Sequence, residues 1–496
     1  MDFTVIIPEI LVCLTALAVI GADLFNDQDE RRRRGVMAFI SAAGLSIALG
    51  VLVGAHAGGY FGLERFYGAF APDHMSLFFR FALLLSALMT IMLSVQYVQD
   101  KIRHAAEFYA LICLATLGAM FLSAATEMLT FYLSLELLSL SSFVLVALRK
   151  DNPKSAEASL KYLVFGALSS GLLLYGLSLI FGMTGSIQYA QINAYFSQIT
   201  QGLLDSNGYL TLQPMVAIFL ILGGLGYKVA AVPFHMWAPD VYEGAPLPVT
   251  AFLSVSSKLA GFAALIRMTQ MLDNNSLTPV WVRLVFLLAI LSMSLGNILA
   301  IAQRDIKRMF AYSSIAQAGY LLLGVAALSN LSSRDMAISG LLFYLLVYVF
   351  MNLGAFAAIT HLSKQMGSTE IIYFSGLGAR YPWFAFVLSA CLLSLTGLPP
   401  FAGFTGKFYL FGAVTQMGTG YLWIVLVAVL NSVVSLYYYS RVIRMLYFGQ
   451  STAEFEQKSS HPALMMASIL GLVGILGLFL FPSFVLNFLA SIHSLL

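Results

Sequence analysis

Four ionisable residues fall inside apolar stretches long enough to cross a membrane. Glu136 lies in Phe131-Tyr-Leu-Ser-Leu-Glu136-Leu-Leu-Ser139, and Lys228 in Gly223-Gly-Leu-Gly-Tyr-Lys228-Val-Ala-Ala-Val-Pro233. Lys258 lies in Ser254-Val-Ser-Ser-Lys258-Leu-Ala-Gly261, and Lys407 closes Gly397-Leu-Pro-Pro-Phe-Ala-Gly-Phe-Thr-Gly-Lys407. A charge at the middle of a membrane helix is costly and by default marks an ion or proton path. The bland alternative is static ion pairing between helices, but three ammonium groups cannot all be matched by one carboxylate. In general, burial favours the neutral amine and a nearby carboxylate favours the charged one, so a buried lysine can change protonation near neutral pH when its partner moves. Lysine suits that task and arginine does not, because arginine stays charged. The expectation is a proton relay of Glu136, Lys228, Lys258 and Lys407.

Two of the lysines flank prolines, Pro233 after Lys228 and Pro399-Pro400 before Lys407. Proline removes a backbone donor and clashes with the preceding turn, and irregular backbone at membrane depth must face protein or a polar cavity. These positions predict discontinuous helices 7 and 12. Transporters place such breaks at corresponding positions of inverted repeats. Helices 7 and 12 run in opposite directions, which suggests two five-helix units. His235, just past the first break, is a relay candidate because histidine titrates near neutrality; a hydrogen-bonded histidine at a helix end is the alternative. Ser254, Ser256, Ser257 and Thr405 are expected either to hold water in the path or to pack helices. Glu9 is read as interfacial.

The elements that position these residues follow from composition. The apolar set AVILMFWYC makes up 60% of 496 residues and DEKR only 10%, too few charges to cover a soluble particle of this size. Apolar blocks of about twenty residues recur, the length a helix needs to cross hydrocarbon. The spans are placed at about 4–24, 36–55, 76–98, 108–126, 128–148, 159–182, 215–238, 248–271, 281–302, 310–328, 336–361, 384–417, 420–446 and 463–486. That is an all-α integral membrane protein of about 14 helices in one polytopic domain, residues 1–496. It divides into three N-terminal helices (1–107), a first repeat (108–271), a second repeat (281–448) and a C-terminal helix (463–486). Of the 26 Lys and Arg residues, 18 fall in odd-numbered loops and 5 on the opposite side. By the positive-inside rule this predicts cytoplasmic odd loops and both termini outside. The start Met-Asp-Phe lacks a basic signal-peptide region, so the first block is expected to be retained. Cys13, Cys113 and Cys391 are scattered in apolar blocks without metal spacing and are read as packing residues.

Gly403-Phe-Thr-Gly406-Lys407 lacks the first glycine and following Ser/Thr of a phosphate loop, and Gly224-Leu-Gly226 lacks a third glycine and a preceding strand. Neither supports a nucleotide site. The segment Lys228-Val-Ala-Ala-Val-Pro-Phe-His-Met-Trp-Ala-Pro-Asp-Val-Tyr-Glu-Gly-Ala-Pro-Leu-Pro-Val-Thr250 closely resembles the antiporter-like membrane subunits of respiratory complex I. Within that family, Pro239-Asp240-Val-Tyr-Glu-Gly-Ala-Pro246 and Ser257-Lys258 are similar to the subunit N group, the bacterial counterpart of mitochondrial subunit 2. Leu135-Glu136-Leu137, Arg304-Asp-Ile-Lys-Arg-Met-Phe-Ala-Tyr-Ser-Ser314 and Gly397-Leu-Pro-Pro-Phe-Ala-Gly-Phe404 extend the resemblance over nearly the whole chain. It implies a membrane-arm subunit of proton-translocating NADH:quinone oxidoreductase in a bacterial inner membrane. Glu136 would pair with Lys228, Lys258 would be the central relay, and Lys407 would pass protons outward. NADH, FMN, iron–sulfur clusters and quinone would sit in partner subunits, with no cofactor or metal in this chain. Partners would be neighbouring antiporter-like and small membrane subunits and lipid, not nucleic acid. A subunit of a multi-subunit sodium/proton antiporter and a purely structural scaffold are the alternatives.

Overall fold

The computed structural model describes residues 3–25, 29–57, 68–198, 212–272, 277–449 and 461–493. Its helices are α1 (Ile7–Leu24), α2 (Glu30–Ala57), α3 (His74–Lys101), α4 (Ala105–Ala124), α5 (Met128–Ala147), α6 (Pro153–Thr184), α7 (Tyr189–Gln198), α8 (Leu212–Lys228), α9 (Trp237–Gly244) and α10 (Leu247–Leu272). They continue with α11 (Thr278–Ile301), α12 (Ile306–Ala327), α13 (Arg334–Met366), α14 (Leu377–Arg380), α15 (Pro382–Thr396), α16 (Ala402–Gln416), α17 (Leu422–Phe448), α18 (Pro462–Leu480) and α19 (Pro482–His493). Twelve of these, among the described residues, are long and apolar enough to span a membrane, and α8 and α15 are shorter apolar helices. With α8 and α9 forming one broken crossing and α15 and α16 another, the count reaches the expected fourteen.

Local sequence sets the helix ends. Asp73 and Asp305 accept from backbone N–H groups of the first turns of α3 and α12, the usual N-cap arrangement. Pro153, Pro382 and Pro462 open α6, α15 and α18, where the missing N–H has no helical partner to lose. Several expectations are corrected. The last span stops at Leu480, and Pro482 starts a separate helix instead of continuing to 486. The helix 7 segment runs on to Gly244 rather than 238, because Pro239 falls in the first turn of α9, where proline is tolerated. Between the sixth and seventh spans lies a further short helix, α7.

Contacts between loops assign them to two ends of the bundle. At one end, Lys364 pairs with Asp100 at 2.6 Å, Lys154 with Glu243 at 2.8 Å, and Asp305 forms a bridge with Glu370. These tie together the odd-numbered, Lys/Arg-rich connections. At the other end, Phe70 bridges Ala125 and Glu127 bridges Gln188. Deep in the core lie α10, α12 and α13, whose residues are almost all buried. Large apolar side chains such as Leu168, Leu426 and Val433 face outward, as expected where the surroundings are hydrocarbon or another apolar subunit.

Glu9, in the first turn of α1, faces another helix. It is buried in α1 and accepts from Arg80 of α3 at 2.6 Å, both side chains being 1% exposed or less. Arg80 also donates to the Val5 carbonyl. Arg267 of α10 is likewise buried and makes a two-pronged pair with Asp73 at 2.7 and 2.8 Å. Breaking a buried pair on one side leaves an uncompensated charge, a loss of about 3–5 kcal/mol, whereas removing both partners is far milder. Glu9→Leu is therefore expected to lower the thermal unfolding midpoint of the purified protein in detergent, and the double variant with Arg80→Leu to recover more than half of that drop. A double variant as unstable as the single one contradicts the pairing.

Candidate functional site

The site is built around the ends of two half-helices. Just past the end of α8 the Ala230 N–H donates to the Tyr227 carbonyl and the Ala231 N–H to the Gly226 carbonyl. Ala230 takes the left-handed conformation, φ 55°, usually reserved for glycine and worth roughly 1–2 kcal/mol against an L-residue. This geometry closes off the helix and leaves the carbonyls of Lys228 and Val229 without backbone donors. Ser257 Oγ donates to the first at 3.4 Å, and Lys258 Nζ donates to the second. Lys258 also donates to the Ser314 carbonyl of α12 at 3.0 Å. The close approach of α10 requires Gly261, where a Cβ would lie 2.6 Å from Val229.

The second break repeats the arrangement. Gly397 takes φ 88°, its N–H donates to the Ser394 carbonyl, and the Leu398 N–H donates to the Leu393 carbonyl. The carbonyls left over are those of Leu395 and Thr396. Lys407 Nζ donates to them at 3.0 and 2.9 Å, and its third partner is Ser432 Oγ of α17 at 3.0 Å. The ammonium also sits 4.3 Å from the centroid of the Tyr320 ring, a cation–π contact that strengthens when water is excluded. Gly403 lets α16 fold back on α15, since a Cβ there would lie 1.8 Å from the Ser394 carbonyl. Each lysine thus places a positive charge at the negative end of a half-helix dipole.

Lys228 is buried at the end of α8, and its Nζ donates to Ser139 Oγ of α5 at 3.0 Å. Glu136 is half-buried one turn earlier on α5 and accepts from Ser170, which also bonds the Tyr132 hydroxyl at 2.9 Å. The pairing of Glu136 with Lys228 implied by the resemblance is therefore not a direct contact. Glu136 makes no ion pair within 4.0 Å among the described residues, because serines occupy the nearest hydrogen-bonding positions of both groups. His235 is half-buried in the break between α8 and α9, with Pro233 exposed beside it. Its Nδ1 is buried. Pro399 and Pro400 are exposed at the other break. Of the serines, Ser257 belongs to the site, whereas Ser254 bonds back to Ala251 and Ser256 joins Ser86 of α3 at 2.8 Å. Thr405 is half-buried on α16.

What sequence reasoning missed lies mostly on α12. Ser314, Gln317 and Tyr320 follow one another at intervals of three on one face of this helix. The Ser314 carbonyl takes Lys258, Gln317 Nε2 donates at 3.0 Å to the Leu395 carbonyl shared with Lys407, and Tyr320 roofs Lys407. The six-residue rise spans about 9 Å. Buried tyrosines surround this spine. Tyr242 and Tyr348 each reach Ser314 Oγ at 3.3 Å, Tyr344 donates to Gln317, and Tyr439 meets Ser313. The signal was present as mid-span tyrosines, in Phe343-Tyr344-Leu-Leu-Val-Tyr348 and Tyr437-Tyr438-Tyr439, since a buried tyrosine hydroxyl needs a partner.

The family described as NADH:quinone oxidoreductase/Mrp antiporter, TM, matches residues 125–435, which include all four central charges. NAD(P)H-quinone oxidoreductase subunit 2 of Picosynechococcus sp. is 42% identical over 469 residues, 94% of this chain and 85% of the relative. NADH-quinone oxidoreductase subunit N of Trichlorobacter lovleyi is 38% identical over 488 residues, 98% of this chain and 96% of the relative. A chain of respiratory complex I from Thermus thermophilus superimposes with a TM-score of 0.78 at 31% identity, covering 97% of this chain and 99% of that one. The chain belongs to the NADH:quinone oxidoreductase/Mrp antiporter transmembrane family, among its subunit N and subunit 2 members.

Proposed function

We propose that the chain is a membrane-arm subunit of NADH:quinone oxidoreductase and conducts protons through Glu136, Lys228, Lys258 and Lys407. The observation that carries this reading is the placement of Lys258 and Lys407 on the open carbonyl ends of the two half-helices. A lysine held by neutral carbonyls has no contact counterion, so its charge responds to any nearby charge that moves. Among the described residues Lys228 Nζ has only a hydroxyl partner, and the field of Glu136 across the serines is its closest negative influence on α5. A change of charge at one neighbour would reach Lys228, then Lys258 around the α8 end, then Lys407 along Ser314, Gln317 and Tyr320.

Moving one charge through 100 mV takes about 2.3 kcal/mol, so the energy must come from redox chemistry elsewhere. NADH, FMN, iron–sulfur clusters and quinone belong in this reading to partner subunits. The partners are other subunits of that complex, including antiporter-like and small membrane subunits, together with lipid. The Lys/Arg-rich end faces the cytoplasm and both termini face the periplasm. The repeated end geometry of α8 and α15, each met by the following helix through Ser257 or Ser432, supports two inverted units at 108–271 and 281–448. His235, in the first break, is a candidate relay beside Lys228.

Arginine keeps the charge and the donors but does not release the proton. In reconstituted, fully assembled complex, Lys258→Arg is expected to reduce both NADH:quinone turnover and proton pumping to about a tenth or less. Wild-type rates in that variant would leave Lys258 a structural cap. Pumping by the native complex is expected to be equal in sodium and potassium media; a requirement for sodium would favour the antiporter reading.

A further inference from the structure

A fourth buried lysine lies apart from the three of the relay. Lys307, in the first turn of α12, is 7% exposed. Its Nζ donates to the carbonyls of Glu243 and Ala245, the latter at 3.0 Å, and so caps the end of α9. It forms part of the wall of a polar vestibule of about 310 Å³ at the Lys/Arg-rich end of the bundle. Two ion pairs line that vestibule, Asp100 with Lys364 and Glu243 with Lys154. Lys101, Arg149, Asp305 and Glu370 complete its charged lining.

Inward of the vestibule wall, two buried hydroxyls are joined by a hydrogen bond. Tyr242, next to the Glu243 whose carbonyl Lys307 holds, extends its hydroxyl to Ser314 Oγ at 3.3 Å. The carbonyl of the same Ser314 receives Lys258. Lys307 and Ser314 are seven residues apart on α12, two turns or about 10 Å. The half-helix pattern is thus used three times: Lys258 at the end of α8, Lys407 at the end of α15 and Lys307 at the end of α9. Lys307 is the one of these three that lines the polar vestibule.

We propose that Lys307 takes up protons from this vestibule and passes them by way of Tyr242 and Ser314 to Lys258. The proposal rests on the relay reading above and adds where the relay is loaded. The proton goes from water in the vestibule to the Lys307 amine, and from the resulting ammonium to the hydroxyl line. No other bond changes. An ordinary structural cap needs the charge and the donors of Lys307 but not the release of its proton.

The test uses reconstituted, fully assembled complex. Lys307→Arg preserves a permanently charged donor at the α9 carbonyls, so a purely structural role predicts wild-type turnover and pumping. The proposal predicts that both fall at least about fivefold. Separately, Ser368 lines the vestibule and is partly accessible. Ser368→Cys is expected to work normally until a bulky, membrane-impermeant thiol reagent is added, and then to lose pumping and turnover together. If Lys307→Arg does not assemble, the labelled Ser368→Cys complex decides. Full rates in Lys307→Arg, or full rates after complete labelling of Ser368→Cys, overturn the proposal. If Lys258→Arg is inactive while both of these remain active, only the loading route is wrong. If Lys258→Arg is also active, the relay itself is wrong.

Discussion

A helix interrupted inside a membrane exposes carbonyls that neither water nor the helix can satisfy, and the rest of this structure depends on how that is solved. Each unmet carbonyl in hydrocarbon is worth several kcal/mol. Here the donors are lysine ammonium groups, Lys258 for α8 and Lys407 for α15, with Ser257 and Ser432 beside them. The same contact that completes the backbone also keeps a positive charge deep in the protein. Stability and proton chemistry are therefore linked in one interaction. Losing the proton weakens the cap, and restoring the cap favours regaining the proton.

That linkage explains why the two breaks need a rigid frame. Helices α10, α12 and α13 are almost wholly buried, and α12 contacts both lysine sites along a single face. Ser314 and Gln317 connect to each half-helix end through hydrogen bonds, so a displacement of either end is felt by the other. Glu136 stands differently. It is half-buried on α5 beside outward-facing Leu133 and Leu140, and it meets Ser170 rather than a cation. It is the member of the set best placed to respond to charge outside this chain.

Much of this was legible in the residues. The prolines at 233, 399 and 400 announced both breaks, and the lysines near them announced buried charge. The fourteen crossings and the common end shared by the odd loops followed from apolar length and Lys/Arg placement. Three features were not legible for physical reasons. A loop-side lysine such as Lys307 gives no periodic sign that its ammonium turns inward onto another helix. Glu9 and Arg80 are 71 positions apart, so their pairing depends on helix packing that no local pattern encodes. The separation of Glu136 from Lys228 by serines depends on side-chain positions that motif resemblance does not resolve.

The most direct test of the account is to observe the protonation of a half-helix lysine during turnover. Infrared difference spectra of assembled complex, with and without NADH and quinone, would be compared between ordinary and ¹⁵N-lysine-labelled protein and between wild type and Lys407→Arg. The account predicts an isotope-sensitive ammonium band that changes on turnover and is missing in Lys407→Arg. An identical lysine band in both proteins, or none that responds to turnover, would mean that Lys407 keeps its proton throughout and serves the fold alone.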